Sequence, residues 1–560
     1  MNDAHDPTLA RAKTEQSLTL LPGVVIGLGA ALVMWIAWLL THAPAVLTHA
    51  GAEGRGGTAP STVTGVAVVL AMVVSVALGV RLGRAPGWKL GLLAGGVSAL
   101  VNLMLLGSVL TEQPEHTAQM NEAANRFRAE APLIFGGFLG VSLAAGLVAG
   151  LIGARLRPAA RPEHRPGEWI ARLTMVTVVA MLPLIAVGGA VTSTESGMAV
   201  PDGVTSYGAV SVLFPLSLMA EPRIFLEHTH RLFGTLVGFN AIVLAVVAIS
   251  NRPRARFAAI VGTLLIVLVP AGSMGANHSG AISDLGMAAL TGLAAFAGLG
   301  FTHAMLSRRL LGGAAGGLLA LVVVQGLMGI QRVDENLIAV AAFHGVFAQL
   351  VVATGVMLWA SASPTYAEAE GNVTPETARL GARVFRLGMI GLGLVTLQLV
   401  LGAASRHLGG QSGGVHATLT HVVNSFVVLI AVIVVGALCT KGDDQTPVGR
   451  TLRRTGAGLM AVLGVQFLLG WAALGVVGIG GEHRPIPSAT ELGGAGPIPL
   501  GEAIVTTAHQ VGGAALISLV ALGATWGRRA SRAGSPRAGT DSPEPRAESD
   551  ESVPDASQPA

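Results

Sequence analysis

Four histidines, His230, His344, His421 and His509, each lie a short way into a long apolar segment. Three of them follow a repeated Gln-x-x-x-Gly pattern, at Gln325–Gly329, Gln398–Gly402 and Gln466–Gly470, and a fainter copy, Ile185–Gly189, precedes His230 without the glutamine. Imidazole in an apolar segment is costly unless it has work to do, and it serves either as a ligand for transition metals or as an acid–base group near neutral pH. One carboxylate accompanies the four: Glu227 stands three residues before His230, so on a helix both share a face. A carboxyl group so placed can act as acid or base beside a ligand, whereas an acid favoured by the positive end of a helix dipole is the plainer alternative. The glutamine–glycine pattern reads first as packing, with the glycine making room for a bulky planar group between helices. His407 and His416 fall at loop edges, His228 is next to His230 but turned away from it around the helix, and His303 lies near the cytoplasmic end of its helix.

The elements that position these residues are membrane helices. Of 560 residues, 51% are apolar and 12% charged, with a mean hydropathy of +0.64. A soluble globular chain carries roughly a quarter charged residues. Fourteen apolar runs of spanning length can be marked, at approximately 21–41, 61–82, 88–110, 131–153, 169–192, 224–249, 256–273, 285–306, 309–331, 337–360, 380–405, 415–440, 451–479 and 501–527. They are too long and too rich in alanine and glycine for barrel strands, so the fold class is an all-α integral membrane protein. With the N-terminus in the cytoplasm and strict alternation, 27 of the 35 lysines and arginines fall on the cytoplasmic side, which predicts both ends inside the cell and a multi-pass protein of the inner membrane. The first span reads as a retained anchor. The tail from about 530 is too polar to form a core and reads as disordered. Cys439 is the single cysteine, which excludes an intramolecular disulfide, a cysteine zinc site and an iron–sulfur cluster.

In this topology the four histidines enter from the outer face, 6, 7, 6 and 8 residues into helices that run in the same direction. A rise of 1.5 Å per residue puts them about 9–12 Å below the outer helix starts, in one slab of the membrane. Two facing imidazoles at equal depth can hold a haem iron from its two axial sides, so four would hold two haems. Arg231, Arg332 and Arg406 lie on the arginine-poor outer side near this layer and are candidate contacts for haem propionates, with snorkelling as the ordinary alternative. The four hairpins, each an outward helix and a returning histidine helix, suggest two halves of four helices related by an internal repeat.

Taken together, Glu227-x-x-His230-Arg231 with Gly234, the preceding stretch from Gly188 to Gly197, the Gln-x-x-x-Gly helices and Ala508-His509-Gln510 resemble the haem A synthase family over roughly 169–250 and 309–527. The resemblance implies an oxidoreductase of cytochrome oxidase assembly that converts the C8 methyl of haem O to a formyl group. It implies substrate-haem ligands at His230 and His344, a required glutamate at Glu227, and a permanent haem b on His421 and His509. Haem O, haem O synthase and an unidentified electron donor become candidate partners, with a homo-oligomer as a candidate assembly and no nucleic acid. The chain departs from the family in four additional N-terminal helices, in a hairpin inserted at about 256–306, and in lacking both the basic residue of the first-helix motif and an outer-loop cysteine pair.

The expected organisation is an N-terminal four-helix unit (1–160), a substrate-haem half (161–360), a haem b half (361–527) and a cytoplasmic tail (528–560). Two other readings use the same histidines: a quinol-linked di-haem b electron-transfer subunit, which has no particular use for Glu227, and a haem-handling transporter that binds without oxidising.

Overall fold

The computed structural model describes residues 7–48, 61–112, 126–158, 167–250, 310–335, 338–482 and 485–534, apart from single positions 106, 204, 208, 215 and 371. Among them, twelve helices are long and apolar enough to cross a membrane, as in a multi-pass membrane protein. In chain order these are α1 (Pro7–Thr48), α2 (Ser61–Leu82), α3 (Gly87–Leu105), α4 (Ala131–Arg155), α5 (Glu168–Ser193), α6 (Pro222–Ser250), α7 (Leu310–Glu335), α8 (Ile338–Ala362), α9 (Pro375–His407), α10 (Gly414–Cys439), α11 (Pro447–Val477) and α12 (Leu500–Ala533). Each answers to one of the apolar runs. The runs expected at 256–273 and 285–306, with His303, lie outside the described residues, as does the tail beyond 534.

Helix ends follow local chemistry more closely than hydropathy. Thr374 and Thr446 cap α9 and α11, their hydroxyls accepting from the N–H groups of Thr377 (3.2 Å) and Gly449 (3.0 Å), and Pro375 and Pro447 occupy the first helical position, so both helices start several residues before their apolar runs. Asp443 ties the two starts together. It accepts from the Thr377 hydroxyl and from the backbone N–H groups of Thr446 (2.7 Å) and Gln445 (2.9 Å). Burial alone would raise its carboxyl, but these donors outweigh burial and hold it below the ordinary carboxylate range. At the other end, α12 runs past its apolar stretch through Arg528, Arg529 and Arg532, cations that suit a helix C-terminus, and stops at Gly534.

The N-terminal helices pack by close backbone approach. On the α3–α4 seam, Gly87, Gly91 and Gly95 meet Gly150, Gly146 and Ser142 so tightly that a Cβ on Gly91 would collide with the Gly146 carbonyl. Helix α1 then joins this unit to the rest: Trp35 stacks edge-on against Phe233 of α6 at 5.9 Å, and Trp38 lies 5.6 Å from Phe225. One apolar core therefore runs from Leu28, Met72 and Leu90 through Leu173 and Leu236 to Leu318 and Val351, and a second, including Val432, Leu459 and Ile517, joins α9–α12 to Ala353 and Ala360 of α8.

Candidate histidine-pair site

The fold sorts the four histidines into two pairs. His230 on α6 faces His344 on α8 with ring centres 6.4 Å apart and planes at 75°; His421 on α10 faces His509 on α12 at 6.3 Å and 89°. Each ring rests on a glycine of the helix before it. A Cβ on Gly188, Gly329, Gly402 or Gly470 would lie 2.7, 3.1, 2.9 or 3.1 Å from Cε1 of His230, His344, His421 or His509. The first of these corrects the register expected from sequence: the faint copy is Leu184–Gly188, not Ile185–Gly189, and Gly189 instead faces Gln510.

The spacing has a mechanical origin. In a helix the carbonyl of residue i accepts from the N–H of residue i+4, and a glycine at i+4 lets a neighbouring imidazole reach the carbonyl's second lone pair. Nδ1 of His421 donates to the Gln398 carbonyl at 3.2 Å. The equivalent carbonyls of Leu184, Gln325 and Gln466 lie against His230, His344 and His509. For His230 and His509 the approach falls short of hydrogen-bond geometry and leaves Nδ1 unpartnered. A ring held by its Nδ1 edge presents Nε2 as the ligand atom.

The glutamines secure the histidine backbones. Gln325 donates to the His344 carbonyl at 3.1 Å, its amide nitrogen also lying 3.1 and 3.2 Å from the two ring nitrogens, and Gln398 donates to the His421 carbonyl at 3.0 Å. Asn424, which the sequence reading did not single out, fixes Gln398 by donating to its Oε1 at 2.7 Å. Its signal was present: it stands three residues after His421, on the same helical face.

A single cavity of about 860 Å³ is lined by all four histidines together with Glu227, Arg231, Arg332 and Arg406. Ring centres about 6.3 Å apart are what two imidazoles give when each nitrogen sits about 2 Å from one metal on opposite sides. The donor set, two neutral nitrogens per centre with glycine-lined space around them, fits a planar metallo-ligand. Among the described residues no three of His, Cys, Asp and Glu converge on one point.

Glu227 is buried, 3% exposed, beside the first pair. Its Oε1 accepts from Arg231 Nε at 3.2 Å, and its Oε2 has no hydrogen-bond partner. Arg231 differs from its expected role. All five of its N–H donors are engaged, two with Glu227 and three with the carbonyls of Val200 (2.8 Å), Asp202 (2.7 Å) and Thr205 (2.8 Å), so none is left for a ligand carboxylate. It anchors the 194–221 loop, which carries the short hairpin Thr205–Ser206/Ala209–Val210 and the half-buried Tyr207. Burial, with the Glu221 carboxylate beside it, pushes Tyr207 up to about 12, and its hydroxyl donates to the Ala199 carbonyl at 3.1 Å. Arg406 donates to the Thr192 carbonyl at 2.7 Å and pairs with Glu195, while Arg332 lies over Gly197 and forms no ion pair with a described residue. His228 stacks on Phe214 with centres 4.3 Å apart, a packing role. His407 ends α9, and His416 is exposed near the start of α10.

Arg231→Lys tests the anchor. A lysine keeps the charge and loses the fork, and with about 2 kcal/mol of charged hydrogen bonding removed, the loop should open about thirtyfold more often. Limited proteolysis should cut within 198–215 faster by that factor, and an unchanged rate would assign the loop's order to other contacts.

No family model, curated protein or solved structure matches the chain.

Proposed function

We propose that this chain is a haem A synthase-like oxidoreductase that converts the C8 methyl of haem O to a formyl group. The reading is carried by an asymmetry. Two histidine pairs share nearly one spacing, 6.4 and 6.3 Å, yet among the described residues only the pair at His230 has a buried carboxylate with a free oxygen one helical turn away. A di-haem electron carrier uses both pairs and has no particular use for that acid.

On this reading α5–α8 and α9–α12 are two four-helix halves of a repeated unit, with the 256–306 hairpin inserted in the first half and completing fourteen spans. The fourfold recurrence of carbonyl, glycine and ring supports the repeat. His421 and His509 hold haem b, which when bound supplies one-electron relay chemistry. His230 and His344 bracket haem O as substrate. Oε2 of Glu227 holds or takes a proton at the substrate's edge, and Arg231 fixes its other oxygen. Arg332 and Arg406 are the donors available to propionates. The ends face the cytoplasm of a cell whose inner membrane holds the protein, so the histidine layer lies near the outer surface. Haem O synthase and an electron donor are its partners.

The test is co-expression with a source of haem O, followed by extraction of the haems. Haem A in the extract supports the enzyme; two equivalents of haem b without product support the electron carrier. A finer check concerns Gly402→Ala. Alanine improves intrinsic helix propensity by about 1 kcal/mol, yet its Cβ would crowd Cε1 of His421 at 2.9 Å. The variant should therefore lose haem b or shift its absorption bands while the protein remains folded. An unaltered spectrum would remove the glycine from the site.

A further inference from the structure

A second cavity, about 630 Å³, lies between α5, α11 and α12. Its walls are alkyl, with Ala186 and Ala190 from α5, Val462 and Leu469 from α11, and Ala508 and Val511 from α12. It follows α12 from Leu500 to Ala515, a length of about 22 Å. Val465 and Ile504, 58% and 66% exposed, also line it, so it opens on the flank of the bundle that faces hydrocarbon. Such a slot admits a long hydrocarbon chain.

Three polar side chains interrupt the apolar wall: the hydroxyls of Thr194 and Thr507 have partners in the Ala190 carbonyl and Ser193, and the third, Gln466, is shared with the histidine cavity. Two adjacent glycines locate its amide. A Cβ on Gly512, which lines the slot, would collide with Oε1, whereas a Cβ on Gly513, which lines the histidine cavity, would lie 3.7 Å from Nε2. Oε1 thus sits on the slot side, buried and without a hydrogen-bond partner. An acyl chain leaves that acceptor unsatisfied, at a cost in a medium without water. A hydroxyl satisfies it, and by turning over, the same amide offers its NH₂ to a carbonyl. A molecule that alternates between hydroxyl and carbonyl at the head of a long chain is a prenylated quinol and its quinone.

We propose that the slot binds a prenylated quinol–quinone, with its head group on the Gln466 amide and its tail between Ala186 and Ala508. The Gln466 carbonyl is the one against which the His509 ring lies, so the head group stands next to the second histidine pair. The site is defined by the slot and the amide alone and does not depend on the reaction proposed above.

The test uses the full chain in detergent, irradiated with a photoreactive prenyl benzoquinone, and labelled peptides mapped by mass spectrometry. Labelling should concentrate in 461–469 and 503–515 and be displaced by decylubiquinol. Ala186→Phe and Ala508→Phe, which fill the slot from two different helices, should each cut labelling at least about tenfold, and Gln466→Leu should weaken decylubiquinol displacement by about tenfold, the worth of one hydrogen bond. Labelling spread evenly over the lipid-facing helices would overturn the proposal. So would displacement by phosphatidylglycerol or haem O as effective as that by decylubiquinol, or unchanged labelling in both phenylalanine variants that elute as folded protein. Full decylubiquinol affinity in Gln466→Leu would overturn the head-group assignment.

Discussion

Glu227→Gln is expected to lower haem A formation by at least about a hundredfold, the lower range of what a positioned acid–base group contributes. Bound haem b should remain at the wild-type level. The substitution separates chemistry from architecture. Glutamine has the same shape and can still accept from Arg231 through its carbonyl oxygen, so the 3.2 Å contact and the loop that Arg231 anchors are retained. It cannot exchange a proton at the position of Oε2, the oxygen that has no partner. Glu227→Ala, which also strips Arg231 of its counter-charge, should lose product and speed proteolysis of the loop as well. Normal turnover in Glu227→Gln would reduce the carboxylate to a structural partner of Arg231 and remove the feature that distinguishes the enzyme from a di-haem carrier.

The second large effect concerns the other pair. His421→Ala or His509→Ala should reduce bound haem b at least about tenfold, since loss of even an outer-shell partner typically costs 10–100-fold in metal affinity. Each ring sits 6.3 Å from the other with no third histidine, cysteine or carboxylate converging among the described residues, so no substitute ligand is at hand. His230→Ala and His344→Ala should behave differently, losing product while most haem b remains. The pairing is read from the absorption spectrum: a wild-type haem b signal in either His421→Ala or His509→Ala would mean that those two residues do not share a metal.

These effects rest on contacts that were unevenly visible beforehand. The Gln-x-x-x-Gly helices and the histidine that follows each were legible because both parts recur along the chain. The first-helix copy was misaligned by one residue because Gly188 and Gly189 are adjacent and no glutamine marks the register; only the ring of His230 over Gly188 decides it. The engagement of Arg231 with three loop carbonyls could not be read from the sequence, since a backbone carbonyl carries no identity there. The docking of α1 through Trp35 and Trp38 was equally hidden, because an aromatic residue facing lipid and one facing a neighbouring helix have the same hydropathy.

What the chain's order of residues determined by itself is the class of protein, the bounds of the twelve spanning helices among the described residues to within a few residues, and the place of an imidazole near the start of four of them. All three follow from hydropathy and a fixed rise per residue, which are properties of position along one axis. What the tertiary structure alone decided is which imidazole faces which, which glycine yields to which ring, and which arginine keeps free donors. Those depend on the rotation of each helix about its axis, about 100° per residue, and on the neighbour that rotation meets. In a bundle where alanine and glycine serve lipid and core alike, only the packed helices choose between them.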